Sequence, residues 1–139
     1  MELRDYLRRM ANEMGLRDWT VILSRDHPKD DDAGADVTCI YGRKRLTVRL
    51  MRGFAREPLD AQRHYLVHEL VHAHLSHIEW AFNNLGNHLP ASTFDAVWGS
   101  IKDNVEFATD GLADVIAPHL PVPKRPKSKR KRGRQRRAA

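Results

Sequence analysis

Cysteine is nearly missing from this chain of 139 residues: Cys39 is the only one. No disulfide can close within one molecule, a cysteine-based metal cluster is excluded, and a reducing interior is the expected setting. No apolar run is long enough to span a bilayer, which excludes a membrane-spanning helix. No secretory leader is expected either, because Met1-Glu2-Leu3-Arg4-Asp5-Tyr6-Leu7-Arg8-Arg9 is studded with charge. The expected location is the cytoplasm, of a bacterium or a phage-infected cell. Acidic residues are absent after position 120: all 18 precede it, whereas ten of the 24 Lys and Arg follow it. The first 120 residues thus carry 14 basic against 18 acidic charges, a balance of −4, and the last 19 carry +10. The expected organisation is one folded domain over 1–120 and a disordered Lys/Arg-rich tail over 121–139.

Within the body, periodicity predicts an α+β fold. Leu3, Leu7, Met10 and Met14 make one stripe of an N-terminal helix, with Gly15 as its stop. Asp18–Ser24 is rich in β-formers and predicts a first strand, ended by the Asp/Pro/Gly-rich stretch 26–36. A solvated loop accounts for Asp30-Asp31-Asp32 better than a cation site, because the EF-hand spacing and terminal Glu are lacking. Asp36–Tyr41 and Leu46–Leu50 predict a hairpin around Gly42-Arg43-Lys44-Arg45, with Leu46, Val48 and Leu50 on one buried face. Cys39 falls mid-strand, as a buried inert thiol. A helix follows from about Leu59 to Ile78, then a loop over 81–91. A Ser92/Asp95 capping box next opens a helix to about Ala117, stopped by Pro118. Its expected core stripe is Phe94, Val97, Trp98, Ile101, Val105, Ala108, Leu112, Val115 and Ile116.

The first long helix carries His68-Glu69-x-x-His72. At roughly 100° per residue the two histidines stand one turn apart on one face, a spacing that lets both hold one zinc ion. Glu69 lies about 100° round, where it is no third ligand but can reach a water on the metal. With His68 at 0°, Leu59, Leu66, Val67, Leu70, Val71 and Ile78 fall between roughly 160° and 300°, an apolar arc opposite the motif. His74 and His77 turn into that arc, and His64 would displace Glu69 from its role. All three are core or surface histidines on this reading. No Gly follows to bend the chain toward a later His, as the three-histidine pattern requires. The downstream helix instead offers Asp103, Glu106, Asp110 and Asp114. Glu106 flanks its apolar stripe best, at roughly 120° from the centre, with Asp110 next at roughly 160°.

His68-Glu69-x-x-His72 followed by Glu106-x-x-x-Asp110 resembles the gluzincins, the thermolysin-like clan of zinc peptidases, and at this length their minimal members, the minigluzincins. The resemblance covers residues 1–117 in outline. It implies a zincin-like fold: N-terminal helix, small three-stranded sheet, motif helix and ligand helix. It further implies that His68, His72 and Glu106 bind Zn2+, that Glu69 is the general base, and that Asp110 orients His68. The departures are Tyr65, where the wider pattern has Val or Thr, His74, where it has an apolar residue, and Val105, where thermolysin-like enzymes carry Asn.

The expected activity is zinc-dependent hydrolysis of a peptide or protein substrate, which would pair as an extended strand with an exposed sheet edge, Leu46–Leu50. Tyr65 and His88 are candidates for stabilising the transition state. The alternative is a non-catalytic zinc-binding protein that recognises peptides or nucleic acid. Lys124, Arg125, Lys127, Lys129, Arg130, Lys131, Arg132, Arg134, Arg136 and Arg137 would bind DNA or RNA through phosphates, without base readout. Nothing in the body patterns as a helix-turn-helix or an aromatic stacking platform. The tail therefore places the domain and does not define it. A third reading combines the two: a peptidase tethered to nucleic acid, as in SprT-like and repressor-cleaving zincins, although the former use a third His.

Overall fold

The N-terminal stripe coils as its spacing predicts. In the computed structural model, which describes residues 2–30 and 32–124, α1 spans Leu3–Glu13 and buries Tyr6, Leu7, Met10 and Ala11. It ends in a Schellman stop. Gly15 takes φ +82°, its N–H donates to the Asn12 carbonyl, and the Leu16 N–H donates to Ala11. A left-handed residue is easy there for glycine and strained for others.

Three strands follow: β1 (Thr20–Leu23), β2 (Ala35–Ile40) and β3 (Arg45–Leu50). The sheet order is β1-β3-β2, with β3 parallel to β1 and antiparallel to β2. The register sets Ala35, Val37 and Cys39 opposite Leu50, Val48 and Leu46, and Val21 and Leu23 opposite Leu46 and Val48. One face of the sheet is therefore apolar throughout, and that face packs against the helices. The expected edge at Leu46–Leu50 is corrected. β3 is the central strand, hydrogen-bonded on both sides, with Leu46 and Val48 fully buried. The edges are β1 and β2.

Two long helices complete the fold, α2 (Leu59–Leu85) and α3 (Ala91–Ile116), each roughly 40 Å long. A short 3-10 turn over Gly86–His88 reverses the chain between them, so they pack as an antiparallel pair. α2 continues past the expected end at Ile78, because the aromatic residues beyond find partners on α3. Phe82 stacks on Phe94 at 5.2 Å and on Trp98 at 5.7 Å. The Ser92 capping box does not form: Pro90 occupies the N-cap position and no side chain caps the helix.

The α3 stripe is also turned from its expected position. Val105, Thr109 and Ala113 are buried, a ladder of small and β-branched residues against α2, whereas Leu112 and Val115 are exposed. The small side chains let the helices approach closely, which an apolar-only count overlooks.

After α3 the chain is tied back onto the body. Tyr6 Oη donates to the Pro121 carbonyl at 2.6 Å, and Arg63 Nη1 donates to the Leu120 carbonyl at 2.8 Å. Pro123 is buried, so packing continues slightly past the boundary expected at 120. Of the tail cations Lys124 alone is described, and it is exposed; the others, at 125–139, lie outside the described residues. Among the described residues no helix is long and apolar enough to cross a membrane.

Candidate metal centre

On α2, one helical turn separates His68 from His72, and their Nε2 atoms are 3.2 Å apart. The buried ladder Val105, Thr109, Ala113 holds α3 alongside, which puts the residues following the first two, Glu106 and Asp110, on the flank of the helix contact. Glu106 faces both histidines: Oε2 is 3.5 Å from His68 Nε2, and Oε1 is 3.5 Å from His72 Nε2. Asp110 Oδ1 is 3.1 Å from His68 Nδ1. A neutral His68 donates there through Nδ1–H, which leaves the Nε2 lone pair directed at the cluster.

One ligand atom each from His68, His72 and Glu106 lies within 4.8 Å of the others, an arrangement that could hold a metal ion. The separations can be tested against an ion. Tetrahedral coordination with arms of about 2.0–2.1 Å sets ligand atoms about 3.3–3.4 Å apart; the two Nε2 atoms are 3.2 Å apart, and each lies 3.5 Å from a different Glu106 oxygen, Oε2 for His68 and Oε1 for His72. Two imidazoles and a carboxylate also suit a borderline divalent metal. Burial lowers the His72 pKa, assisted by His68 and opposed by the Glu106 and Asp110 carboxylates. Neutral imidazole is the form that ligates.

Glu69 is 5% exposed and faces an open cleft of about 390 Å³. Burial foremost, then the charges of Asp36 and Glu106, push its carboxyl up to about 8, with Arg49 opposing. A cation bound beside it would pull that value back down. The cleft lies between α2 and β2, with Ala35, Val37 and Cys39 on one wall and His68, His72 and Glu106 on the other. Asp30, Asp36 and Glu79 line it too. Asp30, expected merely as part of a solvated loop, is exposed and also sits at this rim.

Tyr65 is half-buried beside the cluster. It shares a hollow of about 230 Å³ with His68, Glu69 and Asp110, packs against Phe54 at 6.2 Å, and leans over Gly34. A Cβ on Gly34 would come within 2.6 Å of its ring. His88 is not brought to the site: it is exposed in the turn at the far end of α2, and Leu85 just before it is roughly 25 Å along the axis from His68. His74 and His77 are exposed rather than turned into a core. His64 pairs with Asp114 at 2.8 Å, outside the cluster. Cys39 keeps a protonated thiol, pushed up to about 12 by burial and then by Glu79 and Glu69.

Glu79 went unread in the sequence although the signal was present. It falls 11 residues after His68 and seven after His72, within roughly 40° of both on the helical wheel. The β2 wall had no such signal, since strand alternation does not say which helix face a strand will meet. No family model, curated protein or solved structure matches this chain.

Proposed function

We propose that this chain is a zinc-dependent endopeptidase of the gluzincin type, with a zincin-like fold, acting in the cytoplasm. The observation that carries the reading is the convergence of His68, His72 and Glu106, with Asp110 on the outer nitrogen of His68. These four residues come from two helices and about 40 positions of sequence. An accidental acidic surface would have no reason to supply the outer partner as well.

Zinc held by His68, His72 and Glu106 would supply Lewis acidity and a water acidic enough to ionise near neutral pH. The chain supplies the rest. Asp110 fixes the tautomer and orientation of His68. Glu69, on the cleft floor, takes a proton from the attacking water and delivers it to the leaving amine. The extended substrate pairs with the free edge of β2, the strand that walls the cleft. Tyr65, beside His68 and Glu69, is the remaining candidate for stabilising the transition state.

Glu69→Gln is expected to retain zinc and to cut no member of a peptide library that the wild type cuts; unchanged cleavage sinks the mechanism. Zinc stoichiometry, measured by elemental analysis, should be near one per chain in the wild type and near zero in Glu106→Ala. A protein that binds zinc and peptides but cuts nothing would belong to the non-catalytic alternative. The ten positive charges beyond residue 120 favour a domain held near nucleic acid. Binding to duplex DNA or RNA should weaken steeply with salt and disappear when residues 125–139 are removed.

A further inference from the structure

The cleft at the metal cluster continues beyond Glu79 into a second cavity of about 410 Å³, walled by Tyr41, Ser76, Trp80 and Asn83. Cys39 and Glu79 belong to both spaces. β2 borders the first over Ala35–Cys39 and the second at Cys39 and Ile40. A polypeptide laid along β2 past His68 would thus present a side chain to the second cavity.

The walls have two kinds of surface. Tyr41 and Trp80 are 5.5 Å apart at a 47° tilt, and Trp80 is half exposed. Large apolar rings open to water next to a cleft are surfaces that a ligand can cover. Glu79 lies where the two cavities join and forms no ion pair among the described residues. Arg43, the cation on the cavity wall, is exposed and unpaired with Glu79. Lys102 on α3 acts on Glu79 only at a distance, while burial and the Glu106 charge disfavour its ionised form. Along the adjoining cleft, Asp30, Asp36, Glu69 and Glu106 add carboxylates, and among the described residues no Lys or Arg lines it. Asp36 is matched by Arg49 at 2.6 Å. The Glu69 side chain, in a residue 5% exposed, has no hydrogen bond among the described residues and lines the same space.

We propose that the second cavity is the subsite for a lysine or arginine side chain of an extended polypeptide substrate, its stem against Tyr41 and Trp80 and its head on Glu79. The chemistry of the walls matches such a group part by part. Aliphatic stems cover apolar surface while the charge reaches outward, aromatic faces attract the cation, and a half-buried carboxylate without a partner gains one. A glutamate side chain would set a second carboxylate against Glu79, a like-charge contact that disfavours it. The inference rests on the peptidase reading for the path of the substrate along β2.

The test uses the full-length protein and matched peptides that carry Lys, Arg, norleucine or Glu at one scanned position. At one position the wild type should favour Lys or Arg over norleucine by about tenfold, with Glu lowest. Glu79→Gln and Trp80→Ala should each reduce that ratio to about threefold or less, and Glu79→Lys should raise Glu above Lys. Circular dichroism checks that each variant is folded; Glu79→Gln is isosteric and Trp80 is half exposed, so both should be. A second arm measures binding of the same fluorescent peptides to Glu69→Gln by anisotropy. Cleavage with no Lys or Arg preference, or a preference that survives both Glu79→Gln and Trp80→Ala, overturns the subsite and leaves the peptidase reading standing. Glu79-dependent preference in binding with no cleavage by the wild type upholds the subsite and rejects the peptidase. Equal binding of the Lys and norleucine peptides overturns the subsite.

Discussion

The two halves of α2 share helical geometry and differ in what supports them. In the near half, Leu66, Val67, Leu70 and Val71 of α2 are no more than 1% exposed, held between the sheet, α1 and the end of α3. In the far half Ile78, Trp80 and Leu85 are at least 40% exposed. What holds that half together is the stack of Phe82, Phe94 and Trp98, with centroids 5.2–6.1 Å apart. Gly86 permits the stack, since a Cβ there would come within 2.8 Å of Phe94. A helix resting on two layers becomes core; the same helix resting on one neighbour keeps half its apolar surface in water. The candidate metal cluster has both its histidines in the supported half, where side-chain positions are fixed by packing. The proposed side-chain subsite begins where support ends, where a surface can still be open.

The largest test of that contrast is a pair of truncations. Leu70→Ala should cost about 2–5 kcal/mol, whereas Leu85→Ala, at a half-exposed position, should cost about 1 kcal/mol or less. Urea denaturation of both variants measures it, and equal costs would erase the distinction between the halves.

Gly34→Ala comes next. The added methyl would push Tyr65 off its perch, at about 1–3 kcal/mol, and should disturb zinc affinity through the neighbouring His68. Unchanged stability would mean that the Tyr65 ring moves aside freely.

Asp110→Asn sharpens the contrast at the site itself. Losing the carboxylate on His68 should weaken metal affinity roughly 10–100-fold, with little change in metal-free stability because Asp110 is exposed. Competition with a chelator reads the first quantity and urea denaturation the second. A stability loss matching the affinity loss would make Asp110 structural.

The smallest effect is expected at the chain's return to the body. Tyr6→Phe removes the hydrogen bond to Pro121, at about 1 kcal/mol. Burial raises the Tyr6 pKa from 10.0 to about 12, so the folded state favours the neutral phenol. That stabilisation is complete below pH 10 and is lost as pH rises toward 12. Tyr6→Phe should flatten the alkaline limb of the stability–pH curve, and an unchanged limb would assign it to other groups.

Much of the fold was legible along the chain. Alternation in Leu46–Leu50 and the four-residue spacing from Leu3 to Met14 mark elements that carry their own periodicity. The order β1-β3-β2 was not legible. Pairing is decided between strands far apart in sequence, and an alternating strand looks alike at an edge or in the middle. The face of α3 was misjudged for a related reason. Thr109 and Ala113 are buried because α2 comes close, and hydrophobicity alone does not register a close approach. At the site, Glu106 and Asp110 could be picked out by angle because a ligand must flank the buried stripe; Glu79 could have been picked out in the same way.

The spacing of His68, Glu69 and His72 is local: a helix of any surroundings sets the two imidazoles one turn apart, so sequence alone determines that half of the cluster. Whether Glu106 meets them depends on the depth at which α3 lies against α2, and so on packing at Val105, Thr109 and Ala113. Which strand walls the cleft, and whether Glu79 and Trp80 open into it, depends on where β2 lands beside α2. Those are separations between elements, set by the volumes of side chains that touch only once the chain is folded. They were left to the tertiary structure to decide.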